Sequence, residues 1–240
     1  MGSITTDTFF NGRVRVNQDR SGYRFSIDAI LLAYYARPRP DDKIIDLGTG
    51  CGIIPVILAH RHPGITLYGI EVQKTLAEIA TLNAKENRMS DRITIIEKDL
   101  KLLESQVVFG PVDLVVSNPP YRRARSGRIN SDPQRAIARH EITATLLDVV
   151  QAAHRVLRNS GRLVMIFPAE RVIDLICQMR SALIEPKHLQ MVYSEIDMGA
   201  MLVLIEGRKG GRPGMKVAPP LTIYHQDGSY TDAVLKMFAP

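Results

Sequence analysis

Four consecutive residues, Asn118, Pro119, Pro120 and Tyr121, combine groups that suit the binding of a planar amine. The side-chain oxygen of Asn118 and the backbone carbonyl of Pro119 can both accept hydrogen bonds from one NH2 group. The two prolines stiffen the turn, and the ring of Tyr121 offers a flat face for stacking. These four residues are predicted to be catalytic, because they would hold an amine and direct its lone pair at an electrophile.

A glycine-rich segment follows one predicted strand and precedes a predicted helix, and it reads Asp46-Leu47-Gly48-Thr49-Gly50-Cys51-Gly52. Glycine permits a tight turn and a close approach of the backbone to a ligand. Open α/β sheets bind ligands at the carboxyl ends of such strands. The spacing G-x-G-x-G differs from the dinucleotide pattern, and the Asp46 carboxylate would repel a pyrophosphate but suits a cationic ligand.

Two further acids follow the next predicted strands. Glu71 ends the second strand, 19 residues after Gly52, and its carboxylate can accept both hydroxyls of a ribose. Asp99 follows the third strand and could accept a hydrogen bond from an adenine amino group. Three acids and a glycine turn describe a nucleoside with a charged amino-acid tail, and S-adenosylmethionine fits that description. Its methyl sulfonium is already electrophilic, so a bound amine needs positioning more than it needs a base.

The glycine turn resembles the first motif of class I methyltransferases, and Glu71 and Asp99 match the next two motifs. The tetrapeptide at 118–121 resembles the catalytic motif of amino methyltransferases. The resemblance covers residues 43–206 and implies S-adenosylmethionine as donor and S-adenosylhomocysteine as product. For Asp28, a plain helix cap is an equally good interpretation. The implied cofactor-binding residues are Asp28, Asp46, Gly48, Thr49, Gly50, Cys51, Gly52, Glu71, Val72, Asp99, Leu100 and Asn118.

Strands and helices alternate around these residues. The predicted strands are 43–47, 65–70, 93–96, 112–117 and 161–167, and the predicted helices are 53–60, 73–88, 143–158 and 169–184. Such alternation favours a parallel sheet with helices on both faces, and near-continuous apolar strands are typical of a sheet covered on both faces. Two last strands, 189–193 and 201–205, are joined by too few residues for a helical crossover, so one should be antiparallel.

The predicted fold class is therefore α/β: a Rossmann-like class I methyltransferase with a mainly parallel seven-stranded sheet and an antiparallel strand at its C-terminal end. Residues 1–42 are predicted to be an N-terminal extension with a short strand or hairpin, followed by a helix from Ser26 or Asp28 to about Ala36. Residues 43–206 would form the catalytic domain. Residues 207–240 would be a C-terminal tail packed on it, with a long basic loop over 207–220.

Positive charge is concentrated in three segments, residues 12–24, 119–141 and 207–216, in a chain whose formal net charge is +6. Concentrated positive charge suits a polyanion such as nucleic acid, and a solvated basic surface without a partner is the alternative. The predicted nucleic-acid-binding residues are Arg122, Arg123, Arg125, Arg128, Arg139, His140, Arg208, Lys209, Arg212 and Lys216.

The amine motif leaves adenine N6, cytosine N4 and a protein glutamine open as acceptors. Arginines that follow Tyr121 favour a base among phosphates, and only 42 residues precede the first core strand, which is short for the helical domain of glutamine-modifying enzymes. Residues 22–28, 118–123, 139–141 and 207–214 together resemble bacterial tRNA adenine-N6 methyltransferases that act beside the anticodon of a valine tRNA. The alternatives are a protein-glutamine N5-methyltransferase of a release factor, another RNA or DNA amino methyltransferase, and a non-catalytic RNA-binding module.

Composition excludes several other classes. Two cysteines, Cys51 and Cys177, are too few for a disulfide framework and lack metal-ligand spacing. No apolar run approaches the roughly 20 residues of a membrane span. We therefore expect a cytoplasmic enzyme with a tRNA partner, without a metal and without a membrane contact, whose oligomeric state (monomer or homodimer) is open.

Overall fold

The computed structural model describes residues 4–19, 27–119 and 144–239, and its centre is a mixed β-sheet. Within these ranges the main sheet has nine strands in the order β10-β8-β9-β7-β6-β3-β4-β5, and β11 also pairs with β8. The strands β1 and β2 form a separate antiparallel hairpin. The strand bounds are β1 Ile4–Phe9, β2 Val14–Asp19, β3 Lys43–Leu47, β4 Thr66–Glu71, β5 Ile93–Glu97, β6 Val112–Ser117, β7 Leu157–Pro168, β8 Ile184–Tyr193, β9 Ala200–Lys209, β10 Lys216–Val217 and β11 Leu221–Thr222.

The direction of the strands confirms the predicted fold class. The strands β5, β4, β3, β6 and β7 pair in parallel, so their carboxyl ends share one edge of the sheet, which we call the carboxyl edge. The strand β9 is antiparallel to both β7 and β8, as the short connection predicts. The predicted number of strands is wrong, because the chain after β9 runs back along β8 and adds β10 and β11 to the sheet.

The segment 207–220 is not a loop throughout, contrary to the prediction. The strand β9 continues to Lys209, and Lys216–Val217 form β10. Residues 207–209 stay in the sheet because their backbone pairs with residues 184–186 of β8. Glycine and basic residues favour a loop locally, but a strand with a partner on each side overrides that local preference.

Helices cover both faces of the sheet and bury two apolar cores. One core joins the hairpin with α1 (Ile27–Ala36), α2 (Ile53–Arg61), α3 (Lys74–Glu86) and α6 (Asp232–Phe238). The other core contains α4 (Leu146–Val156) and α5 (Val172–Ser181). Short 3-10 turns occupy Leu100–Leu102, Ser105–Val108 and Ala169–Arg171. Because both faces are covered, a ligand can reach the backbone of the parallel strands only at an edge of the sheet.

The end of α4 differs from the predicted helix at 143–158. The helix ends at Val156, and Leu157 already pairs with Val112 as the first residue of β7. The ammonium of Lys209 donates to the carbonyls of His154 at 2.6 Å and Leu157 at 2.7 Å. Lys209 thus satisfies carbonyls at the C-terminus of the helix, a contact between segments more than 50 residues apart that local periodicity does not reveal.

Candidate active site

The side chains predicted to act together come from neighbouring strands at the carboxyl edge. Asp46 of β3 pairs with Gly69 of β4 and with Val116 of β6. Glu71 ends β4 opposite the last residue of β5, and Asn118 directly follows β6. The register therefore brings the glycine turn, Glu71 and Asn118 to one edge, where the sequence pattern expects them.

The glycine turn needs its three glycines for their backbone conformation. Gly48, Gly50 and Gly52 have φ values of 75°, 57° and 80°, a left-handed region that residues with a Cβ rarely adopt. Around Gly48 and Gly50 the space is open within 4 Å of an added Cβ, whereas one on Gly52 would lie 3.0 Å from the Cβ of Ala80. A side chain at Gly52 would thus be strained by its conformation and crowded by α3.

Hydrogen bonds hold the turn to the strands beneath it. The backbone N–H groups of Gly48 and Thr49 donate to the carbonyl of Ile70 at 2.9 and 3.0 Å. The Thr49 hydroxyl donates to Oδ2 of Asp46 at 2.7 Å, and the Gly50 N–H donates to Oε2 of Glu71 at 2.9 Å. The first two acids of the predicted site therefore order the turn itself, and two separate strands determine its shape.

Asp46 is the most perturbed carboxyl at this edge. Its side chain is fully buried, and burial raises its pKa to about 7; the hydrogen bond from Thr49 opposes this shift and the charge of Glu71 adds to it. Among the described residues, no donor reaches Oδ1 of Asp46. An unsatisfied buried carboxylate oxygen is costly unless a donor or cation approaches it, so this atom fits a ligand with an ammonium group.

The remaining acids and their neighbours offer polar and apolar groups side by side. Glu71 is buried and accepts from the Gln73 N–H through its second oxygen at 2.9 Å; two accepted bonds leave lone pairs for ligand hydroxyls. The next residue, Val72, exposes 42% of its surface, an apolar area that a planar base could cover. Asp99 caps the 3-10 turn by accepting from the Lys101 N–H at 2.9 Å. Leu100 packs against the second core.

Residues 118–121, the predicted amine-binding motif, are called the amine clamp from here on. A hydrogen bond ties the start of this clamp to the glycine turn. The hydroxyl of Ser117 is buried and donates to the carbonyl of Leu47 at 2.8 Å. Leu47 directly precedes the turn and Ser117 directly precedes Asn118, so this bond sets the distance between the two motifs. Pro119 is buried behind Asn118. Pro120 and Tyr121 lie outside the described residues.

Comparison with known proteins identifies the fold and the family together. A family model for the methyltransferase small domain matches residues 26–183, about two thirds of the chain. The chain belongs to the methyltransferase small domain family. The match spans the glycine turn, both acids of β4 and β5, and the Asn118 motif.

Curated relatives of this methyltransferase carry one name. A tRNA1(Val) (adenine(37)-N6)-methyltransferase of Porphyromonas gingivalis is 38% identical over 178 residues, 72% of this chain and 69% of the relative. A protein of the same name from Aeromonas hydrophila is 28% identical over 94% of this chain and 92% of its own. The resemblance inferred from the motifs is thereby confirmed at the level of the family.

Solved structures share the fold of the methyltransferase. The crystal structure of a predicted O-methyltransferase of Agrobacterium tumefaciens has a TM-score of 0.71 at 23% identity, covering 88% of this chain and 94% of the other. TrmN of Thermus thermophilus has a TM-score of 0.52 at 19% identity, covering 75% of this chain and 48% of the other. Identities this low concern the α/β architecture alone.

The predicted nucleic-acid-binding residues of the methyltransferase divide into those that the structure describes and those that it does not. Arg122, Arg123, Arg125, Arg128, Arg139 and His140 lie outside the described residues. Arg208 pairs with Arg162 of β7, which pairs with Leu114 of β6. Leu114 and Asn118 are four residues apart, so Arg208 lies about 13 Å below Asn118 along the strands. Arg208 therefore lies toward the opposite, amino edge, and both Arg208 and Arg212 are exposed.

Two other members of that set have different surroundings. Lys209 donates hydrogen bonds to the carbonyls at the end of α4, so it has a structural role there. Lys216 is exposed on β10, four strands from β6 in the sheet order. At about 4.8 Å per strand, Lys216 lies about 19 Å to the side of the Asn118 motif. None of these residues lines the carboxyl edge near Asn118.

Asp28 lies in the first turn of α1 and is buried. The residues directly before Ile27, including the other predicted cap, Ser26, lie outside the described residues. The cofactor role of Asp28 therefore stays a prediction beside the helix-cap interpretation.

Sequence reasoning missed several positions that shape the site. A Cβ on Gly69 would meet Thr49 at 2.9 Å and Ile95 at 2.7 Å, so this strand glycine lets the turn lie close to β4. Ser117 and Asn83 are not among the predicted site residues. A small hydroxyl residue at the end of an apolar strand, such as Ser117, is a weak signal because it is common, and a polar residue on a helix, such as Asn83, is a weaker one.

In the part of the chain that the structure describes, no helix is both long and apolar enough to cross a bilayer. In the same ranges, no three His, Cys, Asp or Glu side chains group as metal ligands.

Proposed function

We propose that this protein transfers a methyl group from S-adenosylmethionine to the N6 amine of an adenine in tRNA, at position 37 beside the anticodon of a valine tRNA. The observation that carries the proposal is the Ser117–Leu47 hydrogen bond, which ties an amine-binding motif to a glycine turn next to three acids. The names of the curated relatives supply the acceptor. Family membership supplies the reaction class.

The residues of the carboxyl edge suit the cofactor. The unsatisfied Oδ1 of Asp46 suits its ammonium group, with Asp28 as a second acid near that end. Glu71 suits the ribose hydroxyls, Val72 and Leu100 suit the faces of the adenine, and Asp99 suits its amino group. The residues 48–52 would let the backbone approach closely. When bound, S-adenosylmethionine supplies a methyl group on a sulfonium, which is electrophilic without further activation.

The protein's own part in catalysis would be orientation and exclusion of water. Asn118 and the carbonyl of Pro119 would each accept one N–H of the amine, which leaves the nitrogen lone pair directed at the methyl group. Because both acceptors bind protons of the neutral amine, no side-chain base is needed before attack, and the surplus proton can leave to solvent afterwards. Orientation of this kind is worth several kcal/mol of the barrier. Tyr121 would stack on the base.

The tRNA would be bound mainly through phosphates. We propose that Arg122, Arg123, Arg125, Arg128, Arg139 and His140, which follow the clamp in sequence, hold the anticodon loop near the site. A loop base is single-stranded and can be turned outward into a pocket at low cost. Arg208, Arg212 and Lys216 would contact more distant phosphates. A tRNA substrate supports the proposal that the enzyme works in the cytoplasm.

The test is transfer of labelled methyl groups from S-adenosylmethionine to unmodified total tRNA, followed by analysis of the nucleosides. We expect labelled N6-methyladenosine with the wild type. We expect a turnover at least about 100-fold lower in Asn118→Ala, with binding of S-adenosylhomocysteine within about threefold of the wild type. Asn159→Ala, at an exposed position of β7, is the control and should behave as the wild type.

Three outcomes would overturn parts of the proposal. Label in a release factor or another protein, with none in tRNA, would replace the acceptor by a glutamine amide. A nitrogen acceptor is favoured over oxygen by the Asn118 motif, so label on a ribose hydroxyl would contradict the amine-binding role of that motif. Equal losses of turnover and of cofactor binding in Asn118→Ala would also contradict the amine-binding role of Asn118.

A further inference from the structure

Asn83 joins three parts of the molecule through one side chain. It lies on α3 and is fully buried. Its amide nitrogen donates to the carbonyl of Cys51 at 2.8 Å and to the carbonyl of Asn17 at 3.0 Å, and its oxygen accepts from the Asn17 N–H at 2.8 Å. Both donors and one acceptor site of the amide are therefore used. One contact is to the glycine turn, and two are to the hairpin.

Asn87, one helical turn later, makes the same pair of contacts to the hairpin but none to the turn. Its oxygen accepts from the Arg15 N–H at 2.9 Å, and its nitrogen donates to the Arg15 carbonyl at 2.6 Å. Its other donated bond goes to the Asn83 carbonyl of its own helix. Four residues advance a helix by about 6 Å, and two residues advance a strand by about 6.6 Å. Asn83 and Asn87 are therefore spaced to contact Asn17 and Arg15, which lie two residues apart on β2.

The contact with Cys51 fixes a particular peptide group. The carbonyl of Cys51 accepts from Asn83, and the N–H of the same peptide, which belongs to Gly52, donates to the Thr49 carbonyl at 2.9 Å. Gly52 follows with φ 80° and can adopt either sign of φ at little cost. Without Asn83 this peptide could rotate, because only the bond to Thr49 would hold it at the first turn of α2.

The helix α3 approaches the turn closely at the same place. Ala80, one turn before Asn83 on the same face of α3, would lie 3.0 Å from a Cβ at Gly52. The buried residues of α3 are otherwise alanines: Ala77, Ala80 and Ala84. Small side chains let the helix approach, and Asn83 supplies the polar contact that the partly buried carbonyl of Cys51 requires.

We infer that Asn83 is a positioning residue for the cofactor turn and couples the N-terminal hairpin to cofactor binding. The inference rests on the proposed function, in that the turn is taken to bind S-adenosylmethionine. The geometry makes the coupling reciprocal: what orders the turn also orders β2, and the reverse. Asn87 supports the hairpin alone and provides a matched control one turn away on the same helix.

The first experiment measures binding of S-adenosylhomocysteine by calorimetry, together with thermal unfolding. Asn83→Ala and the nearly isosteric Asn83→Asp should both raise Kd about tenfold or more, since both lose the donor to Cys51. Asn87→Ala should also lower the unfolding temperature but leave Kd within about twofold of the wild type, because Asn83 keeps its bonds to both Asn17 and Cys51. If Asn83 and Asn87 variants raise Kd equally, or if neither does, Asn83 is merely structural and the inference is wrong.

The second experiment uses the wild type alone, so it does not depend on the folding of any variant. Backbone amide hydrogen exchange is followed by NMR with and without S-adenosylhomocysteine. The ligand should slow exchange of the Asn17 amide, which is bonded to Asn83, more than that of the Arg15 amide, which is bonded to Asn87. Equal protection of the two amides, or none, contradicts the coupling.

Failure of the proposed function has a different signature. If the wild type binds no S-adenosylhomocysteine, the cofactor assignment fails. The link between Asn83 and the turn is then still tested in the ligand-free proteins, where exchange of the Gly52 amide should be faster in Asn83→Asp and unchanged in Asn87→Ala. An unchanged Gly52 amide in Asn83→Asp would show that Asn83 does not hold the turn.

Discussion

At the scale of single residues, burial decides what a carboxyl group can do. Asp46 and Glu71 lie near the ends of adjacent strands, and burial raises the pKa of Asp46 to about 7. Asp46 has an oxygen that no described donor reaches, whereas both oxygens of Glu71 accept backbone N–H groups. Ionised Asp46 therefore lowers the stability of the ligand-free protein, and a cationic ligand would reduce this free-energy cost.

The cost should appear as a pH dependence of stability. The folded protein holds the Asp46 proton more tightly than the unfolded chain, so the free energy of unfolding contributed by this group falls as pH rises from about 4 to about 7 and is constant above. Asp46→Asn cannot ionise and should be about 2 kcal/mol more stable than the wild type at pH 8, with little difference at pH 4. Urea unfolding at both pH values measures it, and a variant less stable at pH 8 would contradict the assignment.

Ligand affinity should have the opposite dependence on pH. An ammonium group binds the ionised form of Asp46, so the affinity for S-adenosylhomocysteine should rise as pH increases from 5.5 to 7. The α-amino group of S-adenosylhomocysteine belongs to a free amino acid, whose carboxylate keeps it protonated through this range, so affinity should level off above pH 7. Calorimetric titration across this range measures the effect, and Asp46→Asn should lack the rise on the acid side. A flat profile in the wild type would separate Asp46 from the ligand.

At the scale of elements, contacts between helices and strands assign charged residues to structure or to surface. Lys209 and Arg208 are neighbours in a basic segment, but Lys209 reaches the end of α4 and Arg208 is exposed. The ammonium of Lys209 is partly desolvated there, which lowers its pKa. Adjacent residues on a strand point to opposite faces. Lys209 can therefore bond to the end of α4 while Arg208 stays exposed to solvent.

The division predicts two separable phenotypes. Lys209→Met should lower the free energy of unfolding by about 1–3 kcal/mol, because the carbonyls of His154 and Leu157 lose a charged donor, and it should leave the affinity for tRNA nearly unchanged once the protein is folded. Arg208→Met should leave stability within about 0.5 kcal/mol of the wild type. Urea unfolding and filter binding of tRNA compare the two. Equal effects of both variants on stability would contradict the helix-capping role of Lys209.

At the scale of the whole molecule, the sheet separates the described basic residues 208, 212 and 216 from the proposed site of chemistry. The acids, the glycine turn and Asn118 share the carboxyl edge. Arg208 lies toward the amino edge, Arg212 follows it beyond the end of β9, and Lys216 lies on a lateral strand. A small RNA loop bound at Asn118 would not reach these residues, but a full tRNA could. Their effect on catalysis should therefore depend on the size of the substrate.

The prediction compares two substrates in one variant. The triple change Arg208→Ala, Arg212→Ala and Lys216→Ala should raise KM for full-length tRNA and reduce the slope of log affinity against log salt by about 2–3. KM for an isolated anticodon stem-loop and Kd for S-adenosylhomocysteine should stay within about twofold of the wild type. A rise in KM that is equal for both RNAs would show that these residues act at the loop instead.

Much of the fold follows from local patterns in the sequence. The strands Lys43–Leu47 and Val112–Ser117 have the predicted bounds, because short buried apolar runs between turn residues define both ends of a strand. Ends were wrong where tertiary contacts decide them: Leu157 fits the apolar face of α4 but pairs with Val112 in β7. Residues 207–209 look like a loop in composition and are held in β9 by partners on both sides.

The sequence by itself determined the chemistry of the proposed site. Glycines, acids and an Asn-Pro-Pro-Tyr turn at successive strand ends must share one edge of a parallel sheet, so their types and order are sufficient to bring them together. Only the tertiary structure decided what holds them in position. Asn83, Ser117 and Lys209 act on carbonyl groups that lie 32, 70 and 55 residues away for the contacts to Cys51, Leu47 and His154. Such contacts depend on the packing of distant segments. The sequence around a single polar residue does not indicate which distant group that residue will contact.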